Sequence, residues 1–263
     1  MRKVGDFYGF NWRSLDYFCF FAISNSYNRI DMNRILKTIV AIMLMMVFAL
    51  GCTKPDEPNN GASVSGSIEG HDYVDLGLPS GTLWATCNVG ADTPEDYGDY
   101  FAWGEIVSKT SYLWTNYSFA YDRTQLTKYC LNPIYGYQGF ADSLTTLETC
   151  DDAAAANWGG GWRMPSYAEW REMINNCWLD GPHINGVNDW AFVGNNGNRL
   201  VLPFASFKEG TSNGGYVGYY WSSTLYTDQP DCARLFYMEG NEYMMSFDPR
   251  SLGLTVRPVH SPE

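Results

Sequence analysis

Gln229-Pro230-Asp231 carries a side-chain amide and a carboxylate on either side of a proline. A turn around Pro230 accounts for these three residues. Asp151 and Asp152 are adjacent carboxylates. Glycoside hydrolysis needs two carboxylates facing each other across a substrate, whereas a helix N-terminus explains this pair. The chain has no G-x-S-x-G, no P-loop and no H-E-x-x-H. Its three histidines (His71, His183 and His260) are scattered and none of its cysteines forms a C-x-x-C pair, which argues against structural zinc. The expectation from the residues alone is therefore no catalytic residue, no metal and no cofactor.

Recognition is a different chemistry, and the C-terminal part is supplied for it. Tyr219, Tyr226, Tyr237, Tyr243 and Arg250 form the candidate ligand-binding set. Tyrosine combines a large contact area, few rotamers and a hydroxyl, and its face can stack on a sugar ring. Strand alternation predicts that about half of such residues point inward instead. Trp162, Trp170 and Trp221 are assigned to the core.

These side chains need elements to position them. Residues 71–86 read as two short strands around the turn Leu78-Pro79-Ser80-Gly81. Residues 104–147 are polar and aromatic without a period and read as long loops with short elements at most. Residues 149–158 read as a helix opened by a capping box of Thr149 and Asp152 and stopped by Gly159-Gly160-Gly161. A second helix starts at Ser166, with Glu169 at the N3 position. Its Trp170, Met173, Ile174 and Cys177 fall at i, i+3, i+4 and i+7, one buried stripe. Residues 190–193 and 199–202 flank a Gly/Asn turn, and residues 232–238 and 242–247 flank Glu239-Gly240-Asn241, two hairpin signals. Residues 219–223 and 254–259 complete the strands, and no repeat is evident.

Composition narrows the partners. The chain carries a net charge of −12; residues 1–51 hold six Lys/Arg and three Asp/Glu, which leaves −15 on the remainder. That charge repels phosphate backbones, so nucleic acid is excluded as a partner. Cys87, Cys130, Cys150, Cys177 and Cys232 are an odd set beyond Cys19 and Cys52. At most two disulfides can form among them, and the pairing is open.

The N-terminal region predicts export. Residues 1–31 show no period, and Met32 is read as the true start, with 1–31 a mis-called extension. Arg34 and Lys37 precede an unbroken apolar run over residues 39–50. That run is too short to span a bilayer and fits the core of a secretory signal. Ala49-Leu50-Gly51-Cys52 resembles a lipobox, with Ala49 where leucine is usual. The expected organisation is a signal peptide over 32–51, lipidation at Cys52, a flexible Pro/Asn/Gly/Ser-rich tether over 52–69, and one domain over 70–260. Lys54, Asp56 and Glu57 resemble the lysine/acidic signal that sends Bacteroidetes lipoproteins to the outer face of the outer membrane; a solvated linker is the other reading. The membrane would then be a partner through the lipid anchor only.

GWRMPSYAEWREM (161–173), GYYWSST (218–224) and LTVRPV (254–259), in that order, resemble the Fibrobacter succinogenes major paralogous domain of Bacteroidetes surface lipoproteins. VDLGLPSGTLWATCNVGA (74–91) and DYGDYFAWGE (96–105) are similar to the N-terminal half of the Bacteroidetes version. The resemblance implies an α+β, C-type-lectin-like fold: two helices, small irregular antiparallel sheets, many loops, and chain ends brought together. The helix motif is also similar to formylglycine-generating enzymes and their sulfoxide-synthase relatives. The paired C-terminal cysteines of the former and the iron-binding histidines of the latter are missing here, since only Cys232 lies downstream of Cys177. Residues 216–251, rich in Tyr, Asp and Ser, resemble the variable proteins of diversity-generating retroelements, though strand alternation accounts for that composition. Gln229-Pro230-Asp231 matches the tripeptide of galactose-type calcium-dependent lectins, but no Trp-Asn-Asp follows it, and Asn188-Asp189 lies upstream. The implied function is a surface-anchored module binding an extracellular glycan or protein. The alternatives are an assembly subunit of a surface complex or fimbria and, last, an enzyme.

Overall fold

Gly66–Ile68 (β1) and His71–Asp75 (β2) form an antiparallel hairpin. Its two turn residues, Glu69 and Gly70, both take positive φ (50° and 83°), the twist a two-residue hairpin demands. Leu83–Ala85 (β3) pairs with β2 after the expected turn, closed by Gly81 N–H to the Leu78 carbonyl at 2.9 Å. The computed structural model describes residues 61–181 and 189–262. The expected extension, signal segment, Cys52 and the start of the tether lie outside the described residues, as do His183 and Asn188. No helix among the described residues is long and apolar enough to cross a membrane.

Residues 104–147 hold only short 3₁₀ turns, at Trp114–Asn116 and Tyr137–Gly139. The first expected helix breaks in two. Thr149–Asp151 is a 3₁₀ turn, Asp152 is extended, and only Ala153–Trp158 is α-helical (α1). Asp152 itself is the N-cap, its carboxylate accepting from the Ala154 and Ala155 N–H groups and from Met164 N–H. A buried carboxylate that can satisfy three backbone donors displaces Thr149 from the capping role. Tyr167–Asn176 (α2) matches expectation: Ser166 and Glu169 form a reciprocal capping box, and Trp170 and Met173 are buried. Glu172 of α2 accepts from the Ser80 N–H at 2.8 Å, which ties this helix to the β2–β3 turn.

The remaining sheets are all antiparallel. Trp178–Asp180 (β4), Asp189–Val193 (β5) and Arg199–Pro203 (β6) make one, Lys208–Glu209 (β7) and Ser212–Asn213 (β8) a minimal second. Gly218–Leu225 (β9), Cys232–Glu239 (β10) and Glu242–Pro249 (β11) form the longest, in the order β11-β10-β9. The expected strand over 254–259 is reduced to Val259–His260 (β12), which pairs with β3 and brings the chain's last strand beside its first sheet. Residues 254–258 run buried between elements, bridging Phe101 and Tyr220 singly, and Pro258 has no N–H to extend a ladder. The fold is thus mixed α and β, with two helices among small antiparallel sheets joined by long loops.

The β9–β10–β11 sheet separates two cores, as strand alternation requires. Tyr220, Phe236 and Met238 face a cluster with Trp84, Trp170, Trp190 and Phe192. Trp221, Ala233 and Leu235 face another, with Phe101, Trp103, Leu254 and Val256. Trp170 stacks on Phe236 with ring centroids 4.7 Å apart. Its indole N–H donates to the Trp221 carbonyl at 3.3 Å. Trp162, Trp170 and Trp221 are all buried, as expected.

Candidate ligand-binding surface

Beyond Trp221 and Leu235, the second face of the long sheet runs out to solvent. Tyr237 lies opposite Tyr219 on one side and Met244 on the other. The tyrosine rings meet edge to face with centroids 5.2 Å apart, and Phe207 lies 5.1 Å from Tyr219. Both tyrosines are half-buried, Met244 is 49% exposed, and Tyr216, just before β9, is 80% exposed. The aromatic set is therefore held from beneath and open on its outer side, the arrangement a flat apolar ligand face requires.

Carboxylates flank the rings. The Tyr237 hydroxyl donates to Glu239. That bond, followed by burial, pushes the phenol pKa up to about 12. Burial first, and then the charges of Asp248 and Glu239, push Tyr219 to about 12 as well. Asp248 is opposite Ala233 on edge strand β11, on the same face as Met244 and Ser246. Burial raises its carboxyl to about 6. Among the described residues it makes no hydrogen bond or ion pair. A half-buried acceptor without a donor, whose charge is felt at Tyr219, is chemically suited to a ligand hydroxyl.

The other expected residues go elsewhere. Tyr243 is opposite Met238 and points to the other face, packing on Trp190 and Phe192 at 5.9 and 5.2 Å. Tyr226 stacks on Phe247 at 3.9 Å, beyond the end of β9 and away from the Tyr219–Tyr237 pair. Arg250 is the correction: it is 0% exposed and cannot belong to any surface. Its Nη1 donates to the Lys128 and Tyr129 carbonyls at 3.2 and 3.1 Å, and its guanidinium lies 5.5 Å from the ring centroids of both Trp103 and Tyr117. It binds the long 104–147 loop to the core, and backbone carbonyls over 100 residues away carry no sequence signal.

The oxygen-donor candidate also turns inward. Asp231 is 1% exposed, and its Oδ2 accepts from Arg123 Nε and Nη2 at 3.1 and 2.6 Å. Its backbone carbonyl accepts from Arg250 N–H, so Gln229-Pro230-Asp231 is a structural turn between β9 and β10. Glu148, Cys150 and Asp151 bring possible metal donors within 4.8 Å of one another. The Lys128 ammonium already sits against Glu148 and Asp151, at 2.5 and 2.6 Å. The five cysteines among the described residues are all unpaired. Burial pushes Cys177 to about 11 and Cys232 to about 12, and raises Cys130, which keeps these three as thiols at neutral pH.

One feature escaped the sequence reading. A cleft of about 720 Å³ lies between the Gly159-Gly160-Gly161 segment, the start of α2 and Ser223. Its charged groups are already engaged. Arg163 grips Glu169 at 2.8 and 2.5 Å, and Glu169 also accepts from Ser166 N–H. Burial raises the Glu169 carboxyl, but the Arg163 and Ser166 bonds together bring it below its ordinary value. The three glycines all take positive φ, so a glycine run after a short helix was the available local signal. The cleft walls come from residues 146–169, closed by Ser223 from β9. Comparison with protein-family models, with curated proteins and with solved structures found no match.

Proposed function

We propose that this chain is a lipid-anchored outer-membrane protein, exposed at the cell surface, whose domain adopts a C-type-lectin-like fold and binds an extracellular glycan. The observation that carries the binding reading is the Tyr219–Tyr237 pair, 5.2 Å apart, open on one side, with Glu239 on the Tyr237 hydroxyl and Asp248 farther along the same face. The rings offer a platform for a pyranose face, and the carboxylates accept its hydroxyls. Recognition rather than catalysis is the proposed role, since an open aromatic face beside a carboxylate suits binding. The anchor is the Cys52 thiol after removal of residues 32–51, and residues 52–69 are the tether. The resemblance of residues 161–173, 218–224 and 254–259 to the Fibrobacter succinogenes major paralogous domain supports both halves of this reading.

The test is a glycan array probed with the full chain in non-ionic detergent, in calcium and in EDTA. The expected result is binding that Tyr219→Ala/Tyr237→Ala removes and EDTA leaves intact, since Asp231 is committed to Arg123. No binding in either condition would sink the glycan reading and leave a protein ligand or an assembly role. EDTA-sensitive binding would place the ligand away from this surface.

A further inference from the structure

Seven arginines lie among the described residues, and five are accounted for. Arg123, Arg163 and Arg199 are in ion pairs with Asp231, Glu169 and Asp180. Arg250 and Arg257 are fully buried on backbone carbonyls. The remaining two, Arg171 and Arg234, both lie against the ring of Tyr167, at 5.9 and 4.9 Å from its centroid. Among the described residues neither makes an ion pair, although the chain has 29 Asp+Glu against 17 Lys+Arg.

Arg234 is positioned tightly despite lacking a carboxylate. It sits on β10 opposite Phe247. Its guanidinium is 4.3 Å from the Tyr226 ring centroid, so tyrosines from two different elements hold it. Phe247 stacks under Tyr226 at 3.9 Å. Tyr167 is fixed in turn, its N–H donating to Thr224 Oγ1 at 3.1 Å as α2 begins. Arg171, one turn along α2 and exposed, donates to the Tyr167 hydroxyl at 3.4 Å. Stacking uses the faces of a guanidinium and leaves its edge N–H donors free. The Arg234 side chain donates no hydrogen bond among the described residues.

A preorganised donor fork without an acceptor is what bidentate carboxylate recognition uses. The tyrosine rings beside it supply an apolar face for a sugar ring, and the acidic remainder of the chain disfavours a polyanion. We infer that Arg234, with Arg171, Tyr167 and Tyr226, forms a second binding site that takes the carboxylate of a hexuronic acid residue. Arg234 lies on the opposite face of the β9–β10–β11 sheet from Tyr237, as the register alternates. The site therefore does not depend on the Tyr219–Tyr237 reading.

The test is ¹⁵N NMR of the full chain in detergent, following the arginine Nε–Hε resonances as sodium glucuronate is added. Glucose is the neutral control and sodium sulfate the anion without a ring. The expected result is a saturable shift of the Arg234 resonance with glucuronate, absent with glucose and at least tenfold weaker with sulfate. The exposed Arg171→Gln and the half-buried Arg234→Lys should each weaken glucuronate binding, Arg234→Lys by tenfold or more because an ammonium cannot fork. Tyr219→Ala/Tyr237→Ala should leave the shift unchanged. No saturable shift in the native chain, an equal response to sulfate, or glucuronate binding untouched by both arginine variants would overturn the inference.

Discussion

Asp248→Asn is expected to make the protein more stable at neutral pH while weakening its ligand binding. The Asp248 carboxyl rises from an ordinary 3.8 to about 6 because burial penalises its charge. Between those values the folded chain holds a proton that the unfolded chain has lost. Stability therefore falls as pH rises from about 4 to about 6 and stays lowered above that window. At about 1.4 kcal/mol per pH unit, the full effect would be roughly 3 kcal/mol. The side chain keeps partial contact with water, and screening reduces this to on the order of 1 kcal/mol. Asparagine removes the charge and keeps the shape. Urea unfolding followed by tryptophan fluorescence should give a gain of about 1 kcal/mol at pH 7.5 and close to none at pH 4. A loss of stability at pH 7.5, or an effect of equal size at both pH values, would refute the reasoning. A site that tolerates an unpaired buried charge trades stability for function, so the same variant should bind the array glycan less well.

Trp170→Ala empties the centre of the first core and should cost roughly 3–5 kcal/mol in the same urea assay; a cost under about 1 kcal/mol would contradict the stacking on Phe236. Thiol labelling of the native protein should modify exposed Cys150 fastest and the buried Cys130, Cys177 and Cys232 only on unfolding. Equal rates for all would show that the buried thiols are not protected. In cells fed radiolabelled palmitate, the chain should carry label and fractionate with the outer membrane, and Cys52→Ala should abolish the label; a labelled Cys52→Ala chain would overturn the anchor assignment.

Much of the scaffold was legible because its signals are local. The Ser166/Glu169 box and the i, i+3, i+4 stripe set α2, and Gly240, with φ of 56°, marks the β10–β11 turn. The binding set was only partly legible. Alternation announces that some tyrosines turn inward, but register decides which, and pairing Tyr237 with Tyr219 sends Tyr243 to the core. Arg250 escaped because its partners, the carbonyls of Lys128 and Tyr129, are far from it in the chain, and Asp152 was placed at N3 rather than at the cap because its third donor, the Met164 N–H, lies 12 residues on. The segment 254–258 looks like a strand by composition, yet its neighbours leave room for single bridges only. Arg234 gave no sign at all, because an arginine on a half-exposed strand is ordinary until its two tyrosines are in place.

In the proposed function the extracellular ligand sits on the open tyrosine face. Isothermal titration of the strongest array glycan into the native chain and into Tyr237→Ala tests it most directly. Losing one stacking ring should cost on the order of 1 kcal/mol, and the hydroxyl and its Glu239 partner add to that, so affinity should fall about tenfold, which is 1.4 kcal/mol. Undiminished affinity in Tyr237→Ala, with the fold intact by urea unfolding, would contradict the account and move the ligand to another surface.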